Sequence, residues 1–92
     1  MKIRFYIDPK TKDPHIHRHE VTEHEVEDVL SHPGEDRIGH EGTRVAIGPT
    51  RYGRYLRVIY VPEPEGIFVI TAYDLSGKAL IAYRRRMRRR RK

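Results

Sequence analysis

The chain opens on a clean alternation. Ile3, Phe5 and Ile7 fall on one face of an extended segment and Lys2, Arg4 and Tyr6 on the other, so residues 2–7 read as a half-buried strand. Asp8-Pro9-Lys10-Thr11-Lys12-Asp13-Pro14 then breaks the pattern with turn residues. From Val21 the period lengthens to that of a helix. Thr22 is placed to cap it, Glu25 three residues on completes a capping box, and Val21 and Val26 form a hydrophobic staple around the cap. Val26, Val29 and Leu30 give the i, i+3, i+4 stripe that faces a core. Glu23, Glu25, Glu27 and Asp28 put acid near the end of the helix dipole that favours it. Pro33-Gly34 is a stop, and the spacing predicts a helix over about 22–32.

Beyond Gly34 the period of two returns. Residues 36–40 read as a short edge strand, Glu41-Gly42 as a turn, and Val45 and Ile47 share one face of the next strand. A loop bounded by Gly48 and Gly53 leads into the most regular strand, 54–61. Leu56, Val58 and Tyr60 occupy one of its faces, and Tyr55, Arg57, Ile59 and Val61 the other. Apolar residues on both faces mark it as a central strand. Residues 62–66 form a hairpin connection to its partner, 67–73, which is rich in β-branched and aromatic side chains. A second helix begins near Asp74 or Ser76, either of which suits a cap. Leu80, Tyr83 and Met87 form its buried edge and arginines its polar face. The order predicts an α+β fold: a single small twisted antiparallel sheet of three to five strands, with one helix before and one after the main strands.

Ninety-two residues make one domain with a thin core, which a homo-oligomer or a partner chain would relieve. Charge divides the chain more sharply than length does. Residues 84–92 carry eight basic side chains and no acid; subtracting these from the nineteen basic residues leaves eleven against thirteen acidic ones in 1–83. The reading is therefore a mildly acidic domain, 1–83, followed by a basic arginine-rich tail, 84–92. Such a tail suits nucleic acid or an acidic protein segment, the alternative being a solvated terminus that aids solubility. There is no cysteine, hence no disulfide framework and no thiolate metal site. No stretch approaches the roughly 20 apolar residues of a membrane span, and the first residues lack a signal-peptide core. These features suggest a protein of a reducing cytoplasm that does not enter the membrane. His15, His17 and His19 alternate and would share one face of an extended segment. They have no cysteine or helical His-Glu-x-x-His pattern to complete a zinc site, so no metal and no cofactor is expected.

A set of ordered fragments resembles a known family. Ala46-Ile47-Gly48-x-Thr50, Gly53-Arg54-x-Leu56-x-Val58, Val69-Ile70-Thr71-Ala72 and a helix with a late Tyr83 are similar to BrnT-type toxins of the RelE/ParE superfamily. Arg18-His19-Glu20-Val21-Thr22, leading into an acidic helix, resembles the opening of those proteins. The likeness spans residues 16–86. It implies an α+β fold, a metal-independent endoribonuclease or translation inhibitor acting on RNA, and an antitoxin partner. Many members carry an arginine after the Ile-Thr/Ser-Ala segment, where this chain has Tyr73 followed by Asp74.

RNA cleavage without a metal needs a base for the 2′-hydroxyl, cations for the charge that develops on the phosphate oxygens, and an acid for the leaving 5′-oxygen. The resemblance points to His19, Arg54, Arg57, Tyr73 and Tyr83 as the catalytic set. Arg51 and the tail cations Arg84, Arg85, Arg86, Arg88, Arg89 and Arg90 would bind the nucleic acid, since guanidinium forks match phosphate oxygens. The competing reading has the tyrosines as core-edge packing and the arginines paired with the acidic helix. A non-catalytic nucleic-acid- or protein-binding module of the same fold is the alternative function.

Overall fold

A computed structural model of the chain describes residues 2–90. Its elements are β1 (Lys2–Phe5), a 3₁₀ turn (His15–His19), α1 (Glu23–Ser31), β2 (Glu35–Ile38), β3 (Arg44–Pro49), β4 (Tyr55–Glu63), β5 (Gly66–Asp74) and α2 (Gly77–Arg90). One five-stranded sheet runs in the order β1-β5-β4-β3-β2. The fold is α+β, with one helix before and one after the main strands, as the periodicity predicts.

Strands β2 to β5 form an antiparallel meander because short connections permit nothing else. β1 joins β5 in parallel, from Lys2 opposite Gly66 to Phe5 opposite Val69, which makes the sheet mixed. Some sixty residues separate these partners, so no turn geometry fixes their direction. A Cβ at Gly66 would overlap the Lys2 carbonyl, and only glycine allows this approach. β1 ends at Phe5, short of the expected Ile7, which makes an isolated bridge to Pro14 and stays exposed.

The two sheet faces are covered unequally. On the first, Ile16 of the 3₁₀ turn, Val21, and Val26 and Val29 of α1 pack on Ala46, Leu56, Val58, Tyr60, Val69 and Ala72. On the second, α2 covers one end only, burying Ile47, Leu75 and Tyr83 with Tyr55, Leu80 and Met87 at the margin. The rest of that face, including Arg57, Ile59, Thr71 and Tyr73, has no helix over it. The β4–β5 register slips at Ile59/Tyr60, so that Ile59 faces Thr71 and Tyr60 faces Val69, leaving Ile70 as the extra residue of a bulge.

The start of α1 is as its sequence dictates. Thr22 Oγ1 accepts from the Glu25 N–H at 3.2 Å and Glu25 Oε1 accepts from the Thr22 N–H at 2.9 Å. Thr22→Ala removes one half of this box and should cost about 1 kcal/mol. In a domain of this size that lowers the melting temperature by about 4–8 °C. A thermal melt followed by circular dichroism checks it, and an unshifted midpoint would show that the cap carries no stability.

α2 does not stop where the arginines begin. Residues 84–90 continue the helix, so this part of the basic segment is a regular helical face; Arg91 and Lys92 lie outside the described residues.

Candidate functional site

Arg54 stands at the entry to β4 and is fully engaged. Its Nε donates to Asp74 Oδ1 at 2.7 Å and its Nη2 to Asp74 Oδ2 at 3.2 Å. Its Nη1 reaches both Glu25 carboxylate oxygens, at 3.0 and 3.1 Å, and the Glu20 carbonyl at 2.7 Å. Its Nη2 also meets the His19 carbonyl at 3.3 Å. The fork on Asp74, with Glu25, raises the guanidinium pKa further above its ordinary value. Arg54, expected to meet phosphate, has its donors taken by α1, by the end of β5 and by the backbone that carries His19. Asp74, expected as a helix cap, is the partner of Arg54, and its carboxyl is held below the usual range by that hydrogen bond.

His19 closes the 3₁₀ turn, and Glu20 after it takes a left-handed conformation (φ 57°) that turns the chain back towards α1. The turn lies against β5. His19 meets Tyr73 edge-on at 5.8 Å between ring centroids and His15 at 5.5 Å; Tyr6 stands 6.1 Å from His15. Behind this row sits the buried carboxylate of Asp8. It accepts from the Lys10 N–H at 2.9 Å, from Arg18 at 3.3 Å, and contacts His15 Nδ1 at 3.4 Å. The Lys10 N–H, ahead of His15 and Arg18, keeps its pKa low against the opposing effect of burial.

Tyr73 links this row to the open sheet face, because the β4–β5 register sets it directly opposite Arg57. Together with Arg37, His40, Val45 and Ile59 the two line a groove of about 480 Å³. The groove continues over an apolar stretch that includes Val61 and Ile70. Two polar atoms on this face, Arg57 Nε and Thr71 Oγ1, are buried without a hydrogen-bond partner, and Arg57 pairs with no carboxylate among the described residues. An interior guanidinium N–H without an acceptor is costly, and the side chain that carries it lines the groove without a carboxylate to balance its charge. Three of the five residues expected to be catalytic, His19, Arg57 and Tyr73, thus come to one region. Tyr83 does not: it is 3% exposed on the buried side of α2, its ring 5.9 Å from that of Tyr55, and burial raises its hydroxyl pKa.

The helical arginines divide by position. Arg86 forks onto Glu35 at 2.6 and 2.9 Å, and Arg90 donates to the Gly34 carbonyl at 3.0 Å. Arg84 stacks on Tyr55, its Cζ 5.1 Å from the ring centroid. Arg85, Arg88 and Arg89 are exposed. Arg51 is exposed too, its loop tied to α1 through its backbone N–H, which donates to Asp28 at 2.9 Å.

The Glu35–Arg86 clamp should make the docking of α2 pH-dependent. Arg86 lowers the pKa of buried Glu35 by hydrogen bonding to the carboxylate. A carboxyl with a depressed folded-state pKa stabilises the fold above its unfolded value, about 4.3 for glutamate, and that contribution is lost as pH falls through the folded value. The melting temperature should therefore fall steeply below about pH 4. Melts from pH 7 to 3 on wild type and Glu35→Gln check this. The variant should start lower and lose less, and parallel curves would exclude Glu35 as the source.

Sequence reading missed Arg37, His40 and Asp8. Arg37 alternates with Glu35 on β2, a signal that their side chains share a face; no local signal connects either Arg37 or His40 with Arg57. Asp8 looked like a turn residue, and its burial follows from Arg18 and His15 closing over it. Among the described residues no group of histidine and acidic side chains is placed to hold a metal ion, and no helix is long and apolar enough to cross a membrane. No protein-family model, no curated protein and no solved structure matches the chain.

Proposed function

We propose that this chain is a BrnT-like toxin that cleaves RNA without a metal, and that the scissile phosphate lies in the groove at Arg57. The observation that carries the reading is the unpartnered, half-buried Arg57 guanidinium facing Tyr73, with the His19 ring edge-on to that tyrosine. Arg57 and Arg37 meet the non-bridging oxygens, where charge grows in the transition state. His19 takes the 2′-hydroxyl proton as the 2′-oxygen bonds to phosphorus. The Tyr73 hydroxyl protonates the 5′-oxygen as its bond to phosphorus breaks. The products are a 2′,3′-cyclic phosphate and a 5′-hydroxyl. Arg54 does not touch RNA; it holds the His19–Glu20 backbone in place. The exposed arginines of α2 supply sequence-independent affinity. A protein with this activity requires a neutralising partner, and an antitoxin is proposed with it.

The test is purified protein with a short labelled RNA in excess chelator, with end-group analysis of the fragments and growth followed during induced expression. Cyclic-phosphate ends and growth arrest are expected. RNA binding without cleavage would favour a non-catalytic module. One observation speaks for that second reading: with Arg54 engaged and Tyr83 buried, Arg57 is the one strand-held member of the expected catalytic cations left in the groove.

A further inference from the structure

We infer that a second site, a cleft between α2 and the end of the β3–β4 pair, binds an unstacked base of a single-stranded nucleic acid. The inference rests on the RNA-directed reading above for the class of ligand only, and not on cleavage.

The cleft, of about 350 Å³, is walled by Pro49, Tyr55 and Met87 and rimmed by His32, Arg84 and Arg88. Its apolar surfaces belong to side chains that are held. Pro49 closes β3, in register with Tyr55, and Tyr55 is fixed by Tyr83 below and by Arg84 stacked on it. Because Arg84 already covers the Tyr55 ring, the plane this apolar slot offers a nucleobase is the pre-oriented Arg84 guanidinium, on which a base stacks its face, with its phosphate a few ångströms away. In a duplex that face is already covered, which selects single strands.

The surroundings extend the site along a strand. A neighbouring hollow shares His32 and Pro49 with the cleft and reaches Thr50 and Arg51. On that loop Tyr52 is 91% exposed. Arg84, Arg88 and Arg51 form no ion pair with a carboxylate among the described residues, and the one acid lining either hollow, Asp28, lies outside the cleft and accepts from the Arg51 N–H. An acidic peptide would use the same cations and leave the apolar slot unfilled.

The geometry of α2 supplies its own control. Arg84 and Arg88, four residues apart, share the flank that lines the cleft. Arg85 and Arg89, also four apart, line neither hollow. Two double variants, Arg84→Ala/Arg88→Ala and Arg85→Ala/Arg89→Ala, remove equal charge from equally helical positions. The probe is a fluorescein-labelled ten-nucleotide single-stranded DNA, which lacks the 2′-hydroxyl that the proposed cleavage requires. Binding is read by anisotropy at two salt concentrations. The first double should weaken binding by about tenfold or more, and the second by about threefold or less. Tyr52→Ala, at a position with no packing role, should weaken it a few-fold without changing the melt. A duplex of the same sequence should bind more weakly than the single strand. Equal losses for the two doubles, or equal binding of duplex, would overturn the site and reduce the affinity to diffuse charge. Polyglutamate competing as well as the oligonucleotide, with the same dependence on Arg84 and Arg88, would make it an acidic-peptide site. Failure of wild type to bind single strands would refute the cleft, while the cleavage assay independently tests the groove.

Discussion

Arg54→Met should lower the melting temperature by about 10–20 °C and reduce any RNA cleavage, although this guanidinium meets no ligand. The substitution removes the donors that join Glu25 of α1, Asp74 of β5 and the His19 and Glu20 carbonyls. Hydrogen bonds to charged groups contribute about 1.5–3 kcal/mol each. Three of the four partner residues are exposed and Glu25 is half-buried, so water replaces much of what is lost and leaves a net of about 2–3 kcal/mol. At about 4–8 °C per kcal/mol this gives the stated fall. Arg54→Lys keeps the charge but loses the fork and should fall between methionine and wild type. Thermal melts rank the three proteins. A methionine variant that melts with wild type would mean that this network carries no stability, and His19 would then lack its anchor in our account.

Arg57→Met should do the opposite to stability and more to activity. Arg57 Nε is buried with no acceptor, so replacing the side chain by an apolar one of similar length removes an unsatisfied group. The melting temperature should stay level or rise by a few degrees. Cleavage should fall by about 100-fold or more, as when one preorganised donor to a transition-state oxyanion is lost. Arg57→Lys restores the charge without the planar fork and should fall short of wild type by about tenfold. Single-turnover cleavage on each variant, beside its melt, separates the outcomes. A methionine variant that unfolds as readily as the Arg54 one would make Arg57 a structural cation. One that folds and still cleaves RNA would move the reacting phosphate elsewhere. Thus two arginines three residues apart in sequence are predicted to differ in the sign of their effect on stability.

That pair also shows where the sequence becomes silent. The alternation along β4, the capping box at Thr22 and Glu25, the hairpin between β4 and β5 and the class of the fold were all legible. Each depends on residues a few positions apart, and a period or a cap is a local property. The sequence alone also placed apolar side chains on both faces of β4, which α1 and α2 then cover to different extents. What it did not determine was which of two arginines, Arg54 at the entry to β4 or Arg57 within it, would be left without a carboxylate partner. Arg54 and Arg57 are chemically identical. Arg54 meets acids 29 and 20 residues away, on α1 and at the end of β5. Arg57 faces Tyr73, beside a sheet face that α2 does not reach. The parallel arrival of β1, the division of the α2 arginines between Glu35, Tyr55 and open flanks, and the burial of Tyr83 have the same origin. They are fixed by strand register and helix docking, which are collective solutions to burying one core, and a side chain's partners are known only once that packing is complete.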